Sequence, residues 1–408
     1  MKQWKKTSLY TILLLLALCI AAIFIFNIRI SVPSSDMDFS PGKESPVTNT
    51  SESKEEVPKN IIVVIADGMG FSHLALALHS QQAEDQPSVW ENFDMKGWHD
   101  ARSLIGPLTD SEASATAMAT GVSTNFGHIG MSNEGEELEN VFELAWSKDY
   151  ATGIVTDSYV WDGTPAAFTV HTRNEDDARD ILTQMANSDL DLLFGELEDV
   201  GEDEVPEVEE TMNILQKRFT LLDASLELPT GANTNNPVAA IFDEDEIQDL
   251  DSAPNLPELT GTALRYLTNK EKPFLLLVEC EEMDSASHTN DTERVIKGLQ
   301  SLQQTLALLQ DFVEKNGETL LVFTADHETG GMAALSDYNK YPDMQVRWTT
   351  NEHSAAIVPL FAKGPGADYF NDVHRNRDIG VKLKSFFSMK PILTDEVLAE
   401  NADIEEDE

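Results

Sequence analysis

Residues 60–70 have the sequence NIIVVIADGMG, an apolar run that ends in Asp67 and two glycines. The run is rich in β-branched residues and has no polar position from Ile61 to Ala66, as expected of a strand buried on both faces of a parallel sheet. We therefore predict a buried strand that delivers Asp67 to its carboxyl end.

Two later segments repeat this design. They are PFLLLVECEEMD at 273–284 and TLLVFTADHETGG at 319–331. Between them, apolar residues recur at helical spacing from Val295 to Val313, and Asn316 and Gly317 end the predicted helix. A strand, a helix and a strand imply parallel pairing, so the polar strand ends should converge where α/β sheets bind their ligands.

The two ends of the chain differ from this middle part. Residues 9–26 are almost continuously apolar and follow three lysines, which predicts a membrane anchor or signal sequence over residues 1–30 and an exported protein. An uncleaved anchor is favoured over a removed signal peptide because no clear cleavage site follows, and lipidation at Cys19 is a third alternative. Residues 31–58 are typical of a disordered linker, and residues 393–408 form an acidic tail.

The charge balance is extreme. The chain has 28 Lys and Arg against 72 Asp and Glu, a formal net charge of −44 at pH 7. Such a surface argues against a nucleic-acid partner. Because about 1 M salt shortens the screening length to roughly 3 Å, the charge points to a halophilic protein of salty surroundings, although many single carboxylates need only solubilise loops. The acidic, weakly patterned stretch 189–257 is interpreted as insertions and surface helices over the core.

The segment LTDSEASATAMATGVSTN at 108–125 places Ser111 after Asp110 and before a run of small residues. The run predicts a tightly packed helix that begins at Ser111. Backbone N–H groups at a helix N-terminus favour an anion, which suits a serine alkoxide or a phosphoryl group. Taken alone, the same pattern is more typical of an ordinary helix cap.

Carboxylates and histidines follow the predicted strands. Asp284 and His288 are four residues apart and can bind one cation from the same helix face, although ordinary surface pairs share this spacing. Mixed carboxylate and imidazole ligands suit zinc, and enough are present to fill two sites. The six candidates are Asp67, Asp284, His288, Asp326, His327 and His353.

Oxygen donors indicate a third, chemically different site. Glu279, Thr164 in WDGTPAAF and a shared oxygen of Asp67 are hard ligands, which favours magnesium. Arg173 in VHTRNEDD has the geometry to clamp two phosphoryl oxygens. A salt bridge from Arg173 to one of the acidic residues that follow it is equally compatible with the sequence.

Together these residues resemble the alkaline phosphatase family. The motifs that carry the resemblance are VIADGMG, TDSEASATAMATG, TPAA followed by His and Arg, VEC with a later Asp and His, TADHETGG, and H-S-A-x-x-V-P. The resemblance implies an α/β fold with a central, mainly parallel sheet flanked by helices on both faces. It also implies a catalytic domain over residues 59–392 with acidic insertions, and usually a homodimer.

The resemblance further implies an activity and a role for each site residue. The activity is hydrolysis of phosphate monoesters at alkaline pH through a phosphoserine, with two zinc ions and one magnesium ion. Ser111 resembles the nucleophile and Arg173 the substrate clamp. The implied ligands are Asp284, His288 and His353 for the first zinc, Asp67, Asp326 and His327 with deprotonated Ser111 for the second, and Asp67, Thr164 and Glu279 for magnesium.

One position departs from the family pattern. Relatives often carry Lys or His after the first-site Asp, whereas this chain has Ser285. Asp162, which resembles the partner of that Lys at the substrate site, remains. The phosphate pocket should therefore be less positive than in Lys-bearing relatives.

Two rival functions stay open on the sequence alone. A phosphodiesterase or phosphonoacetate-type hydrolase can use the same two metals, although Ser111, Arg173 and Glu279 favour monoesters. A catalytically silent, acidic surface protein that sequesters phosphate or divalent cations would explain the charge. It would not require a serine among zinc ligands.

Overall fold

The computed structural model describes residues 57–80, 88–197, 208–231, 235–243, 246–247, 250, 254–336 and 344–388. The predicted anchor, most of the linker and the acidic tail lie outside these residues. Within the described ranges, no helix combines the length and the apolar character needed to cross a membrane.

The strands of the described residues form one large sheet and two small ones. Their bounds are β1 Asn60–Ala66, β2 Met95–His99, β3 Ala151–Tyr159, β4 Leu192–Glu196, β5 Thr220–Leu222, β6 Val238–Phe242, β7 Phe274–Cys280, β8 Thr319–Thr324, β9 Glu328–Thr329, β10 Ala333–Ser336, β11 Met344–Arg347, β12 His353–Ser354 and β13 Val358–Lys363. The large sheet has the order β2-β13-β8-β1-β7-β3-β4-β6-β5, and β13 runs against its neighbours. The predicted parallel pairing of β1, β7 and β8 is confirmed.

Helices cover both faces of the sheet, as predicted. Their bounds are α1 Phe71–Ser80, α2 Ser111–Thr120, α3 Val141–Ser147, α4 Gly163–Ala167, α5 Ala178–Asn187, α6 Val208–Leu215, α7 Leu256–Asn269, α8 Glu282–His288, α9 Thr292–Asn316 and α10 Asn376–Phe386, with a 3₁₀ helix at Ala367–Phe370. Alternate residues of β1 enter two cores: Ile61 and Val63 pack with α2 to α6 and α10, and Ile62 and Val64 pack with α1, α7, α8 and α9. The central strand is thus buried on both faces.

The long crossover helix is also confirmed. Helix α9 contains the apolar positions from Val295 to Val313 and ends before Gly317, which has a φ of 71°. The amide of Gly317 donates to the carbonyl of Val313, and Gly317 itself has the left-handed backbone conformation typical of a helix C-terminus.

The interpretation of residues 189–257 is wrong in one respect. This stretch contributes β4, β5 and β6 to the edge half of the large sheet, in addition to surface structure. These strands have only three to five residues. An acidic segment separates β4 from β5, and a polar segment separates β5 from β6. The apolar runs are therefore too short to show a clear strand period.

Helix α2, which begins at Ser111, is held by close backbone packing against α10. A Cβ atom added at Gly380 would lie 2.5 Å from the Gly121 nitrogen and 2.6 Å from the Ala117 oxygen. No side chain can move aside to relieve such a contact, because the opposing atoms belong to the backbone.

We expect Gly380→Ala to lower the free energy of unfolding by about 1–3 kcal/mol or more through overpacking. Gly261→Ala in helix α7 is the matched control. A Cβ atom at Gly261 would meet the Leu308 side chain of helix α9 at 3.4 Å, an ordinary van der Waals distance. The control should be neutral or stabilising by about 0.5–1 kcal/mol. Urea unfolding of both variants measures the difference, and equal stabilities would contradict this account of the α2–α10 contact.

Candidate active site

The polar ends of several segments meet at one edge of the sheet. Asp67 follows β1, Asp326 and His327 follow β8, and Asp284 and His288 lie on α8, which begins after β7. His353 joins them from β12, which pairs with β9. The predicted convergence of the polar strand ends is therefore observed, and His288 and His353 lie with them.

The buried group around His327 corresponds to the implied second zinc site. His327 Nε2 lies 3.4 Å from Asp67 Oδ1 and 3.3 Å from Asp326 Oδ2. Ser111 Oγ is 3.2 Å from the same nitrogen. The ring of His327 thus points its Nε2 atom at two carboxylates and at the hydroxyl that begins helix α2.

The implied first site is centred on Asp284. His288 Nε2 lies 3.2 Å from Asp284 Oδ2 and 3.1 Å from His353 Nε2. The Nδ1 atoms of these two histidines face the Asn351 and Thr109 carbonyls at 2.8 Å. When both Nδ1 atoms donate, two Nε2 lone pairs face each other, an arrangement that a shared cation stabilises.

The two groups of candidate zinc ligands are in contact through His327. One potential ligand atom from each of Asp284, His327 and His353 lies within 4.8 Å of the others. His327 therefore stands between the groups, and the sequence assigned it to the second site alone.

The oxygen-rich group also assembles. Glu279 is fully buried, and its Oε2 accepts a 2.6 Å hydrogen bond from Thr156 Oγ1. Within the part of the chain that the structure describes, its other oxygen, Oε1, and the buried Thr164 hydroxyl oxygen have no hydrogen-bond partner. Asp67 Oδ1 and Asp326 Oδ2, which lie near His327 Nε2, likewise make no hydrogen bond to any described residue.

These donors fit metal ions. Burying oxygens without partners costs free energy that a coordinated cation offsets. Zinc holds nitrogen and oxygen ligands at about 2.0–2.1 Å, which puts neighbouring ligands of a tetrahedron roughly 3.3 Å apart. The separations of 3.4 Å and 3.3 Å around His327, and of 3.2 Å and 3.1 Å around His288, agree with that spacing.

Burial sets the protonation of these groups. It raises the pKa of Asp67 well above its usual range, and the charge of Asp326 adds to the effect. Burial followed by the charge of Asp162 does the same for Glu279. Burial also lowers the pKa of His327, which keeps its ring neutral as a metal ligand requires. A cation among the carboxylates would favour their ionised forms.

Ser111 has the predicted position at the start of α2. Asp110 is the N-cap, and its carboxylate accepts hydrogen bonds from the Ala113 amide at 2.9 Å and the Gly127 amide at 2.6 Å. Because Asp110 occupies the Ala113 amide, the Ser111 hydroxyl is free of the capping role. The capping alternative therefore belongs to Asp110.

The predicted phosphate-binding residues are less closely assembled. Arg173 is exposed, and its Nη2 donates to the Asn133 carbonyl at 3.1 Å. Asp162 caps α4 and accepts a 2.6 Å hydrogen bond from Ser158 Oγ. The hydroxyl of Ser285 donates to Glu281. The roles of Arg173 and Asp162 at the substrate stay predictions.

Sequence reasoning missed several supporting residues. Glu281 accepts from Ser285, Thr329 contacts both Asp284 and His327, and His171 bonds to Glu143. Thr329 lies two residues beyond His327 in TADHETGG, so its place inside a recognised motif was the available signal. The pairing of His171 with Glu143 has no such signal, because 28 residues separate them.

His171 fastens the loop that carries Arg173. Its Nε2 lies 3.0 Å from Glu143 Oε1 and its Nδ1 lies 2.8 Å from the Gly130 carbonyl oxygen. Burial opposes the charged form, but these hydrogen bonds outweigh burial and raise the pKa of His171. Only the protonated ring can donate to both acceptors.

The stabilisation from this raised pKa is fully present below the unfolded value of about 6.5, and it is lost as pH rises through the folded pKa. We expect His171→Gln to lower the melting temperature more at about pH 5.5 than at about pH 9. Glu143→Gln, which removes the partner, should follow the same trend. A thermal shift that does not depend on pH would contradict the ion pair.

Comparison with known proteins identifies the family of this chain. A family model described as alkaline phosphatase matches residues 58–205 and 230–344. Alkaline phosphatase 4 of Bacillus subtilis (strain 168) is 27% identical over 421 residues, which cover 80% of this chain and 88% of that protein. Alkaline phosphatase 3 of the same organism is 27% identical over 314 residues, or 70% of this chain, and the match spans only 64% of that relative.

The fold agrees with solved structures of such enzymes. The alkaline phosphatase from the Antarctic bacterium TAB5 matches with a TM-score of 0.72 at 24% identity, over 83% of this chain and 100% of that chain. At this level of identity the likeness concerns the fold alone, whereas the family match covers most of the chain. On the strength of that match, the chain belongs to the alkaline phosphatase family.

Proposed function

We propose that this protein hydrolyses phosphate monoesters to an alcohol and inorganic phosphate, with Ser111 as the nucleophile. The observation that carries the proposal is the 3.2 Å separation between Ser111 Oγ and His327 Nε2 at the start of helix α2. A serine hydroxyl here lies against a group of potential metal ligands and at the positive end of a helix dipole. The names of the relatives agree with a phosphatase.

The proposal includes two zinc ions and one magnesium ion. Asp284, His288 and His353 would hold the first zinc, and Asp67, Asp326 and His327 the second. Magnesium would take Glu279, Thr164 and a shared Asp67 oxygen, because this group lacks nitrogen donors. When bound, the ions supply positive charge that stabilises the serine alkoxide and the leaving oxygen and lowers the pKa of a water molecule.

The reaction divides into two displacements at phosphorus. Ser111 Oγ forms a bond to phosphorus while the bond to the substrate alcohol breaks, which leaves a phosphoserine and releases the alcohol after protonation. Hydroxide derived from water then forms the new bond to phosphorus, and Ser111 leaves. The amides of the first turn of α2 favour the anion in both steps. Because both attacking groups must be deprotonated, activity should be greatest at alkaline pH.

Arg173 is assigned to the non-bridging phosphoryl oxygens. Its guanidinium, which donates to the Asn133 carbonyl, would exchange that neutral acceptor for a doubly charged one. Asp162 is assigned to the substrate-binding region through its place at the start of α4. The absence of a cation at Ser285 keeps this part of the pocket less positive, which favours release of phosphate.

The location and assembly of the protein are part of the proposal. The apolar run at residues 9–26 supports export, with retention at the membrane or secretion. A homodimer would account for apolar side chains that are exposed in two neighbouring segments. A 2.9 Å hydrogen bond from the Leu104 amide to the Thr124 carbonyl joins the two segments. These side chains are Leu104, Ile105, Leu108, Val122 and Phe126.

We expect Ser111→Ala to lower kcat for p-nitrophenyl phosphate by at least about a thousandfold, because the covalent route is lost. Its metal content and melting temperature should stay near those of the wild type. Ser123→Ala is the matched control and should keep its activity. Ser123 lies beyond the other end of α2, and its buried hydroxyl has no hydrogen-bond partner among the described residues.

Unchanged kcat in a metal-replete Ser111→Ala protein would refute the nucleophile. Parallel assays with bis-p-nitrophenyl phosphate separate the rivals. Preference for the diester would indicate a phosphodiesterase, and binding of phosphate without turnover of either ester would indicate a sequestering protein.

The net charge of −44 leads to a second expectation. Raising sodium chloride from about 0.1 M to about 1 M shortens the screening length from roughly 10 Å to roughly 3 Å, so the melting temperature should rise and activity should persist. Potassium chloride at equal ionic strength should act alike, because screening does not depend on the cation. A melting temperature that falls steadily with either salt would contradict salt tolerance.

A further inference from the structure

Thr329 touches every segment that carries a candidate zinc ligand. Its amide donates to the Gly68 carbonyl at 3.1 Å, next to Asp67. Its backbone is the register partner of His353 in the β9–β12 pair. Its hydroxyl reaches Asp284 and the ring of His327, and the residue is fully buried.

The hydroxyl of Thr329 has a determined polarity. It donates to Asp284 Oδ1, because an ionised carboxylate can only accept. Thr329 Oγ1 also lies 3.1 Å from His327 Nδ1. Since its one hydrogen is directed to Asp284, the oxygen can only accept from Nδ1–H of His327.

This polarity favours the tautomer of His327 that is protonated on Nδ1, in which Nε2 can accept from the Ser111 hydroxyl at 3.2 Å. With the proton on Nδ1, the lone pair is on Nε2, which faces Asp67, Asp326 and Ser111. The opposite tautomer would set a nitrogen lone pair against an oxygen lone pair in a buried site. Such an unpaired contact is costly where water cannot replace the missing donor.

We propose that Thr329 is a positioning residue whose hydroxyl couples the two zinc groups, by holding Asp284 of the first and orienting His327 of the second. This inference rests on the proposed zinc sites. One side chain therefore supports ligands of both ions, and its loss should weaken both sites together.

The matched pair of variants is Thr329→Val and Thr329→Ser. Valine keeps the branched shape and removes the hydroxyl, which leaves Asp284 Oδ1 and His327 Nδ1–H without their partner. Serine keeps the hydroxyl and removes one methyl group. Any effect of cavity or backbone is thus larger in the serine variant, and any effect of the hydrogen bonds appears only in the valine variant.

The first measurement is a calorimetric titration of zinc alone into the metal-free full-length chain. Loss of an outer hydrogen bond to a metal ligand weakens binding by about 10- to 100-fold. We expect a loss of this size for both zinc equivalents in Thr329→Val, and near-complete recovery in Thr329→Ser. Normal affinity in Thr329→Val, or weakening confined to one equivalent, would overturn the coupling.

The second measurement is the ¹⁵N spectrum of the His327 ring in the metal-free chain, assigned by comparison with His327→Gln. The wild type and Thr329→Ser should show protonated Nδ1 and unprotonated Nε2, whereas Thr329→Val should show a mixture. A wild-type ring protonated on Nε2 would overturn the inference even if Thr329→Val failed to fold. Wild-type protein that bound no zinc would overturn the proposed sites as well, whereas equal affinities in wild type and Thr329→Val would overturn the coupling alone.

Discussion

Repulsion among buried carboxyl groups governs the arrangement of the candidate active site. Asp67, Asp326 and Glu279 are each almost fully buried at the carboxyl edge of the sheet, and burial with neighbouring charges raises the pKa of each. No ordinary core would keep such a group, because unpaired buried charge is among the most destabilising features of a protein. Cations bound at this edge would offset the repulsion between the carboxylates, and metal binding would then be thermodynamically linked to folding of the site.

The parallel sheet makes this concentration of charge feasible. Strands β1, β7 and β8 are buried on both faces. Burial of their apolar side chains stabilises the fold and offsets the free-energy cost of the buried carboxyl groups at the strand ends. The acidic side chains occur only where each strand stops. Helix α2 then brings the positive end of its dipole to the same edge, with Asp110 capping the helix so that the Ser111 hydroxyl faces His327.

Much of this arrangement could be predicted from the sequence, because strong patterns encode it. The apolar run before Asp67, the helical period before Gly317 and the Asp284–His288 spacing each depend on local geometry alone. Strands β4 to β6 were missed because three to five residues within acidic surroundings leave no clear period. The contact of Arg173 with Asn133, the bridge from Thr329 and the pairing of His171 with Glu143 depend on which segments meet in space, and a single sequence does not encode that legibly.

The net charge of −44 has the same sign as the phosphate ester that we propose as substrate. The two effects act over different distances. At about 0.1 M salt the screening length is roughly 10 Å, so the acidic surface repels an approaching anion, whereas at about 1 M it is roughly 3 Å and that repulsion is nearly gone. Contacts at the site are made at separations of about 2–3 Å within a low-dielectric environment, and salt screens them much less. At the proposed site, salt would therefore weaken the long-range repulsion of the substrate and leave the short-range contacts with it largely intact. An acidic surface and an anion-binding site are compatible in this fold because different length scales govern them.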